Sequence, residues 1–347
     1  MKPLSGKRIL VTGGTGSLGQ TLVRRLLTGE MGKPEKITVL SRDEAKQHYM
    51  RIDFQHLGAA TDDVIYENSR EILNFRIGDV RDFSSVMTAV RDADVVFNAA
   101  ALKQVPTCEY YPFEAVMTNV VGPQNLVRAI RENDTPVELV VGISTDKACK
   151  PINVMGMTKA LQERVLLEAN IGTPKTKFLC VRYGNVIASR GSVVPLFRQQ
   201  IAKGGPVTIT MPEMTRFLLT LDRAVDTVFA AVRGGARGEL YVPKVASAKV
   251  TDVAKTLMNG KDIPIQYTGI RPGEKVHEIM VSEEERFRTV DRGDYYAILP
   301  VLPELRDSKE IEPVLPGEYS SEHDNISGDE LRALLQTASK DIESFTP

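Results

Sequence analysis

The stretch from Arg8 to Gly19, RILVTGGTGSLG, constrains this chain more than any other. A short β-prone apolar run stops at a glycine-rich turn, and an amphipathic helical pattern from Leu18 to Leu27 follows at once. Glycine at 13, 16 and 19 permits a tight turn and lets the backbone approach a pyrophosphate. The helix start behind it offers unpaired N–H groups and a positive dipole end. A Gly-rich turn by itself occurs in any α/β protein. Set between a clean strand and an amphipathic helix near the start of the chain, it points to a dinucleotide.

The rest of the first half fits that beginning. Apolar runs predict strands at Arg8–Thr12, Ile37–Leu40, Asn74–Ile77, Val95–Asn98, Val137–Ser144 and Phe178–Arg182, with helical patterns between them, as at Ala115–Glu132. Such alternation predicts an α/β fold: a Rossmann-type doubly wound parallel sheet covered by helices on both faces. After Asn185 the pattern loosens into Gly, Pro and short strands, which reads as a smaller α+β substrate-binding lobe. The expected division is a dinucleotide domain over 1–184, to which about 215–242 returns through a helix at Leu221–Val232. A lobe over 185–214 and 243–320 and a C-terminal tail over 321–347 complete it. The charged, Pro-rich stretch from about Pro300 is expected to wrap the body.

Composition narrows the partners. The 347 residues carry a net charge of −1, which disfavours nucleic acid or a membrane surface held by bulk electrostatics. No charged start with an apolar run marks a signal peptide, and the longest apolar runs are too short to cross a bilayer. Cys108, Cys149 and Cys180 have neither metal-ligand nor disulfide-framework spacing, and read as reduced cytoplasmic thiols. A cytoplasmic enzyme is the expectation.

The expected cofactor-facing set begins with Gly13, Thr15, Gly16, Ser17, Leu18 and Gly19. The second strand ends in Ser41 and Arg42, with Lys46 one helical turn later, where an acidic residue would select a ribose 2′-hydroxyl. Three donors favour a 2′-phosphate and hence NADP. Asp43 keeps NAD open, and Arg42 and Lys46 also suit a solvated helix start. Asp79 and Val80 close the third strand beside the adenine. The small residues Ala99, Ala100 and Ala101, with Lys103, close the fourth strand where a cofactor would lie. Tyr183, Gly184 and Asn185 follow the sixth.

The segment STDKACKPINVMGMTKA, Ser144 to Ala160, carries the chemistry. Together with the glycine turn, NAAALKQVP, RYGNVIASRGSVVP and RPGEK, it resembles the extended short-chain dehydrogenase/reductase superfamily. Within that superfamily it is similar to the soluble UDP-N-acetylglucosamine 4,6-dehydratases that invert C5, over residues 5 to about 325. The resemblance implies oxidation at C4 of the sugar, loss of water across C5–C6, hydride return to C6 and reprotonation of C5 from the other face. It makes Asp146 the acid and Lys147 the base. Both must leave their ordinary values of about 3.9 and about 10.4 to work near neutral pH.

Met155 stands where the superfamily has the tyrosine of Tyr-x-x-x-Lys, and a thioether cannot exchange a proton. Lys159, four residues on, suits the nicotinamide ribose. Some members of the family it resembles also carry Met here, so the resemblance implies a rerouted proton path, with Thr145 the candidate for holding the C4 hydroxyl and water or Asp146 accepting its proton. Thr145 as a plain strand-end hydroxyl stays open. For the nucleotide sugar, Asn185 and the Gly191–Ser192–Val193 turn lie after the sixth strand. Thr208 and Thr210 in VTITMP are expected beside the uracil. Arg216, Arg271 and Glu274 resemble the family's diphosphate and ribose contacts, and Lys103 its sugar-side lysine. A UDP-sugar substrate and a homo-oligomer are implied, and no metal. A C4 epimerase, a C5-retaining dehydratase and a non-catalytic dinucleotide sensor are the rival readings.

Overall fold

Strands β1 (Arg8–Thr12), β2 (Lys36–Ser41), β3 (Leu73–Ile77), β4 (Val95–Asn98), β5 (Leu139–Ile143) and β6 (Lys177–Val181) lie parallel in the order 3-2-1-4-5-6 in a computed structural model. It describes residues 2–55, 71–187, 192–306 and 312–343. This order reverses between β1 and β4, which opens a crevice at the carboxyl ends of the strands where ligands of such sheets bind. The predicted α/β architecture is therefore found. Residue Gly191 lies outside the described residues.

The sheet is buried on both sides because its strands alternate. Ile9, Val11, Val95, Phe97, Leu139 and Val141 face one core with helix α1 (Ser17–Leu27) and α2 (Glu44–Gln55). Leu10, Val96, Val140, Phe178 and Cys180 face the other, with α3 (Phe83–Val90). Phe97 and Phe178 are fully buried, each contributing about 1.5–3 kcal/mol of hydrophobic stabilisation. Helices α4 (Val105–Tyr110) and α5 (Pro112–Val116) follow β4 along the chain. The single helical pattern expected over Ala115–Glu132 is divided. One π-helical turn, Met117–Val121, separates α5 from α6 (Gly122–Glu132). Helix α7 (Val154–Gly172) leads from the STDKA turn back to β6.

Beyond β6 the chain builds a second core and then rejoins the sheet. Strand β7 (Asn185–Val186), α8 (Val193–Ala202), β8 (Val207–Ile209) and β9 (Thr215–Leu219) come first. Helix α9 (Leu221–Gly234) packs on α1 and the first sheet core, and β10 (Leu240–Pro243) pairs in parallel with β6. Then come β11 (Ser247–Lys249), α10 (Val250–Met258), β12 (Ile265–Tyr267) and β13 (Ile279–Val281). Strands β14 (Thr289–Asp291) and β15 (Tyr295–Ile298) extend the sheet to nine strands, β15 antiparallel to β10 and β14 antiparallel to β15. Strand β16 (Tyr319–Ser320) pairs with β13, and α11 (Gly328–Glu343) buries Leu331, Leu335 and Ala338 against Phe197, Met214 and Val253. The chain after Pro300 thus contributes a strand and a core-packed helix. Among the described residues no helix is long and apolar enough to cross a membrane, and no three His, Cys, Asp or Glu side chains could share a metal.

Candidate active site

At the first strand–helix junction, Gly13 has φ +65°, and a Cβ there would meet the Ala100 backbone at 2.7 Å. A Cβ at Gly19 would meet Gly14 at 2.5 Å, so both positions require glycine. Gly16 is the N-terminal cap of α1 and supplies no side-chain acceptor. The first N–H groups of the helix therefore keep the polarity that suits an anion. Ala99 and Ala100 donate through their backbones to Thr12, at 3.2 Å each, which brings the ends of β1 and β4 together.

At the end of β2, Ser41 Oγ lies 2.9 Å from Thr15 Oγ1. The exposed Arg42 is 3.8 Å from Asp79, and Lys46 pairs with Asp43 at 2.5 Å. Asp79 is held mainly by Arg81, at 2.6 and 2.9 Å. Burial works to raise the Asp79 carboxyl, but the hydrogen bonds from Arg81 outweigh it and hold it below its ordinary value. Val80 is buried, and its carbonyl accepts from Asn125. The glycine turn, the uncapped helix start and the basic end of β2 together fit a nicotinamide dinucleotide.

The β5 end is built around one buried turn. Asp146 is fully buried, and its Oδ1 accepts from Thr145 Oγ1 at 2.9 Å and from Lys147 Nζ at 3.1 Å. Its Oδ2 has no hydrogen-bond partner among the described residues. Lys147 also lies 3.4 Å from Glu278 Oε1, a buried carboxylate just before β13. Burial works to lower the Lys147 ammonium, but Asp146 and Glu278 outweigh it and raise it. That reverses the expected direction for a base: two carboxylates hold the proton that it would have to lose.

Met155 is buried against Cys108 and Ala115 in a small apolar cluster of its own, with Leu102 and Val105 beside it. Lys159 is buried too: Nζ donates to the Ile143 carbonyl at 2.5 Å and to Gln162 Oε1 at 2.6 Å. Burial pulls its ammonium down to about 8. The unfolded chain keeps that proton up to about 10.5 and the folded chain only to about 8. Between those values folding releases a proton, so stability rises with pH, and below about 8 the buried ammonium costs up to about 3 kcal/mol. Lys159→Met is expected to raise the melting temperature of the free protein at pH 7 and to remove that rise. Gln162 Nε2 still serves the Ile143 carbonyl, at 3.0 Å. Melting curves from pH 7 to 10.5 check it; an unchanged slope would refute it.

The other candidates divide. Gly184 packs so closely on Phe217 that a Cβ would come within 2.5 Å, and its Cβ position is 3.5 Å from Asp146 Oδ2. Asn185 Oδ1 and Glu274 Oε2 are buried without partners among the described residues. Tyr183 and Leu18 pack against Val186, Leu219 and Leu221. Burial pushes the Tyr183 phenol up, away from proton transfer near neutral pH. Lys103 is exposed, and Ala101 and Ser17, the first residue of α1, are half-buried. Arg271 is exposed, 3.9 Å from Glu274.

Three of the side chains expected at the nucleotide sugar are bonded to neighbouring residues. Ser192 Oγ donates back to the Ile187 carbonyl, and Thr208 is held by Gln200 of α8, so both hydroxyls serve the lobe. The Arg216 guanidinium donates to the Thr215 and Val276 carbonyls, at 2.7 and 3.1 Å. Val193 packs on the lobe core, and the Thr210 carbonyl accepts from Gly269.

Glu278 and Asn119 were not signalled by the sequence reading. Asn119, fully buried in the π-helical turn, bonds Leu102 on both its N–H and carbonyl and reaches Thr158 of α7 at 3.0 Å. It clamps the loop after β4 to the start of α7. A π-turn gives no periodicity signal, and Glu278 stands only four places beyond Glu274 in an otherwise unmarked segment.

The family described as polysaccharide biosynthesis protein matches residues 9–300. The chain is 45% identical to the UDP-glucose 4-epimerase of Rickettsia bellii over 298 residues, which cover 84% of this chain and 82% of that one. Among solved structures it is similar to Pen from Bacillus thuringiensis, with a TM-score of 0.84 and 31% identity over 97% of this chain and 98% of that one. It also resembles the dTDP-glucose 4,6-dehydratase of Streptomyces venezuelae, solved with NAD and TYD bound. There the TM-score is 0.65 and the identity 20%, over 78% of this chain and 86% of that one, a likeness of fold.

Proposed function

The chain belongs to the polysaccharide biosynthesis protein family, with the extended short-chain dehydrogenase/reductase fold, and on that premise we propose a nucleotide-sugar enzyme, specifically a C5-inverting UDP-N-acetylglucosamine 4,6-dehydratase. One observation carries this reading. An acid–base pair, Asp146 and Lys147, is joined at 3.1 Å at the end of β5, while the residue in the tyrosine position, Met155, is buried in an apolar cluster. A simple epimerase needs one group to exchange the C4 hydroxyl proton. A dehydratase needs in addition a base at C5 and an acid at the C6 oxygen.

The proton path follows from the turn. Thr145 Oγ1 receives the C4 hydroxyl proton while donating its own to Asp146 Oδ1, 2.9 Å away. Asp146 then carries the proton that the departing C6 hydroxyl requires. Lys147, once it has released its own proton to solvent, takes the C5 proton. Bound NADP supplies hydride acceptance and return, held by the glycine turn and, at its 2′-phosphate, by Ser41 and Arg42. Lys159 serves the ribose, and Asn185, Arg271, Glu274 and Lys103 serve the UDP-sugar. The C5 stereochemistry, NADP preference and a homo-oligomeric, cytoplasmic state belong to the same proposal.

The rival is a UDP-sugar C4 epimerase, favoured by the name of the Rickettsia bellii relative. Proton NMR of the purified protein with NADP and UDP-N-acetylglucosamine in D2O decides. A new 6-deoxy methyl signal, a 4-keto product and deuterium at C5 are expected, with ring couplings that report inversion. A 4-epimer with C6 intact, from this substrate or from UDP-glucose, would overturn the dehydratase.

A further inference from the structure

The segment that follows RPGEK delivers a second buried carboxylate to Lys147. Glu278 Oε1 stands 3.4 Å from Lys147 Nζ and its side chain is 3% exposed. The Glu278 backbone is fixed on both sides: its N–H donates to Ser321 Oγ at 2.9 Å and its carbonyl accepts from Ser321 N at 2.8 Å. Ser321 is itself fully buried and shares Thr215 Oγ1 at 2.8 Å, which meets His277 Nδ1 at 2.8 Å. Ser321, just after β16, and Thr215, at the start of β9, thus lock this carboxylate in place. Glu278 Oε2 accepts nothing among the described residues.

We propose that Glu278 is a positioning residue for Lys147: it anchors the ammonium beside Asp146 and sets the pH above which Lys147 is free as a base. This rests on the reading of Lys147 as a proton-transfer group. The charge balance of the site carries the argument. Lys147 is faced by two carboxylates, Asp146 and Glu278, and by two cations, Arg216 and Lys275. Arg216 Nε is 3.9 Å from Glu278, and Lys275 Nζ donates to the Cys149 carbonyl at 2.5 Å. Taking the C4 hydroxyl proton onto Asp146 Oδ1 through Thr145, while Lys147 Nζ releases one to solvent, turns the ammonium–carboxylate pair into an amine and a carboxylic acid. Those are the base and acid of a dehydration, and the pair keeps its proton count. Glu278 retains its charge through that transfer. It opposes the transfer electrostatically, and it holds Nζ where the turn places it.

Glu278→Gln keeps the shape and removes the charge. Full-length protein labelled with 15N-lysine, without substrate, reads the Lys147 Nζ titration, assigned by its loss in Lys147→Ala. The midpoint is expected to fall by about 1 to 3 pH units, the size of one close charge. The ascending limb of kcat/KM against pH should move down with it, and kcat should fall at the new plateau. An unmoved midpoint would show that Glu278 only supports the fold. The titration needs no turnover, so a shifted midpoint in a protein that makes no 4-keto product upholds this proposal while sinking the dehydratase. Should Glu278→Gln not fold, Glu278→Asp withdraws the carboxylate by one methylene. A smaller fall of the midpoint is then expected, and no fall overturns the proposal.

Discussion

On the proposed dehydratase, Asp146→Asn is expected to lower formation of the 4-keto product from UDP-N-acetylglucosamine by about 10² to 10⁴-fold, the range for one positioned proton-transfer group. The change keeps an oxygen for Thr145 Oγ1 and Lys147 Nζ, now 2.9 and 3.1 Å from Oδ1, and Lys147 retains Glu278. Fold and bound cofactor are therefore expected to survive, since the glycine turn and Arg42 are untouched. Combining it with Lys147→Ala should cost little more than the worse single change, because residues acting as a unit are not additive. Product NMR together with the cofactor content of the purified variants checks both points. A variant with full cofactor and undiminished turnover would remove Asp146 from the mechanism. A wild-type protein that binds cofactor and transforms no nucleotide sugar would favour the sensing role.

Arg182→Met has the largest effect on stability. Arg182 is 2% exposed and forks between two buried carboxylates, Glu163 at 2.7 Å and Glu285 at 2.8 Å, while also donating to the Met280 carbonyl. Glu163 in turn accepts from Ser144 at 2.5 Å, and Glu285 from Cys149 Sγ at 3.6 Å. Through Ser144 and Cys149, on either side of the Thr145–Lys147 turn, the network ties α7 and the start of the Glu285–Arg288 turn to it. Removing the cation leaves two carboxylates buried without compensation, and a loss of about 3 to 5 kcal/mol is expected.

The pH dependence gives a second readout of the same network. Burial works to raise Glu285, but the Arg182 charge and hydrogen bonds outweigh it and hold the carboxyl at about 2, against an ordinary 4.5. Its pKa is depressed on folding, so its stabilisation is present above about 4.5 and is lost as pH falls towards 2. Denaturant unfolding at pH 7 and at pH 3 should therefore show a smaller difference in Arg182→Met than in the wild type. Equal differences would mean that Glu285 is held by something other than Arg182.

Much of the frame was legible because it rests on local periodicity. The strands at Arg8–Thr12 and Val95–Asn98 were expected at the bounds that the structure has, since apolar runs between turns carry their own signal. The glycines at 13 and 19 were legible for the same kind of reason: only a residue without Cβ fits those approaches. The π-helical turn within the expected Ala115–Glu132 helix was not, because one extra residue in a turn leaves the apolar pattern nearly intact.

At the site, a sequence can place chemically able residues side by side, as it does with Thr145, Asp146 and Lys147, and can show that Met155 has no proton to exchange. It cannot say what lies across from them. Glu278 stands far from Lys147 along the chain and 3.4 Å from it in space, and Asp146 and Glu278 together raise the lysine where a base was expected to be lowered. Thr208, Ser192 and Arg216 were named for their chemistry, yet their polar atoms are taken up by Gln200 and by backbone carbonyls. Periodicity and turn chemistry are properties of neighbouring residues, so the sequence by itself determined the sheet, the glycine turn and the adjacency of Asp146 and Lys147. Electrostatic environment depends on distances through space, so only the tertiary structure decided which partners each charged side chain meets.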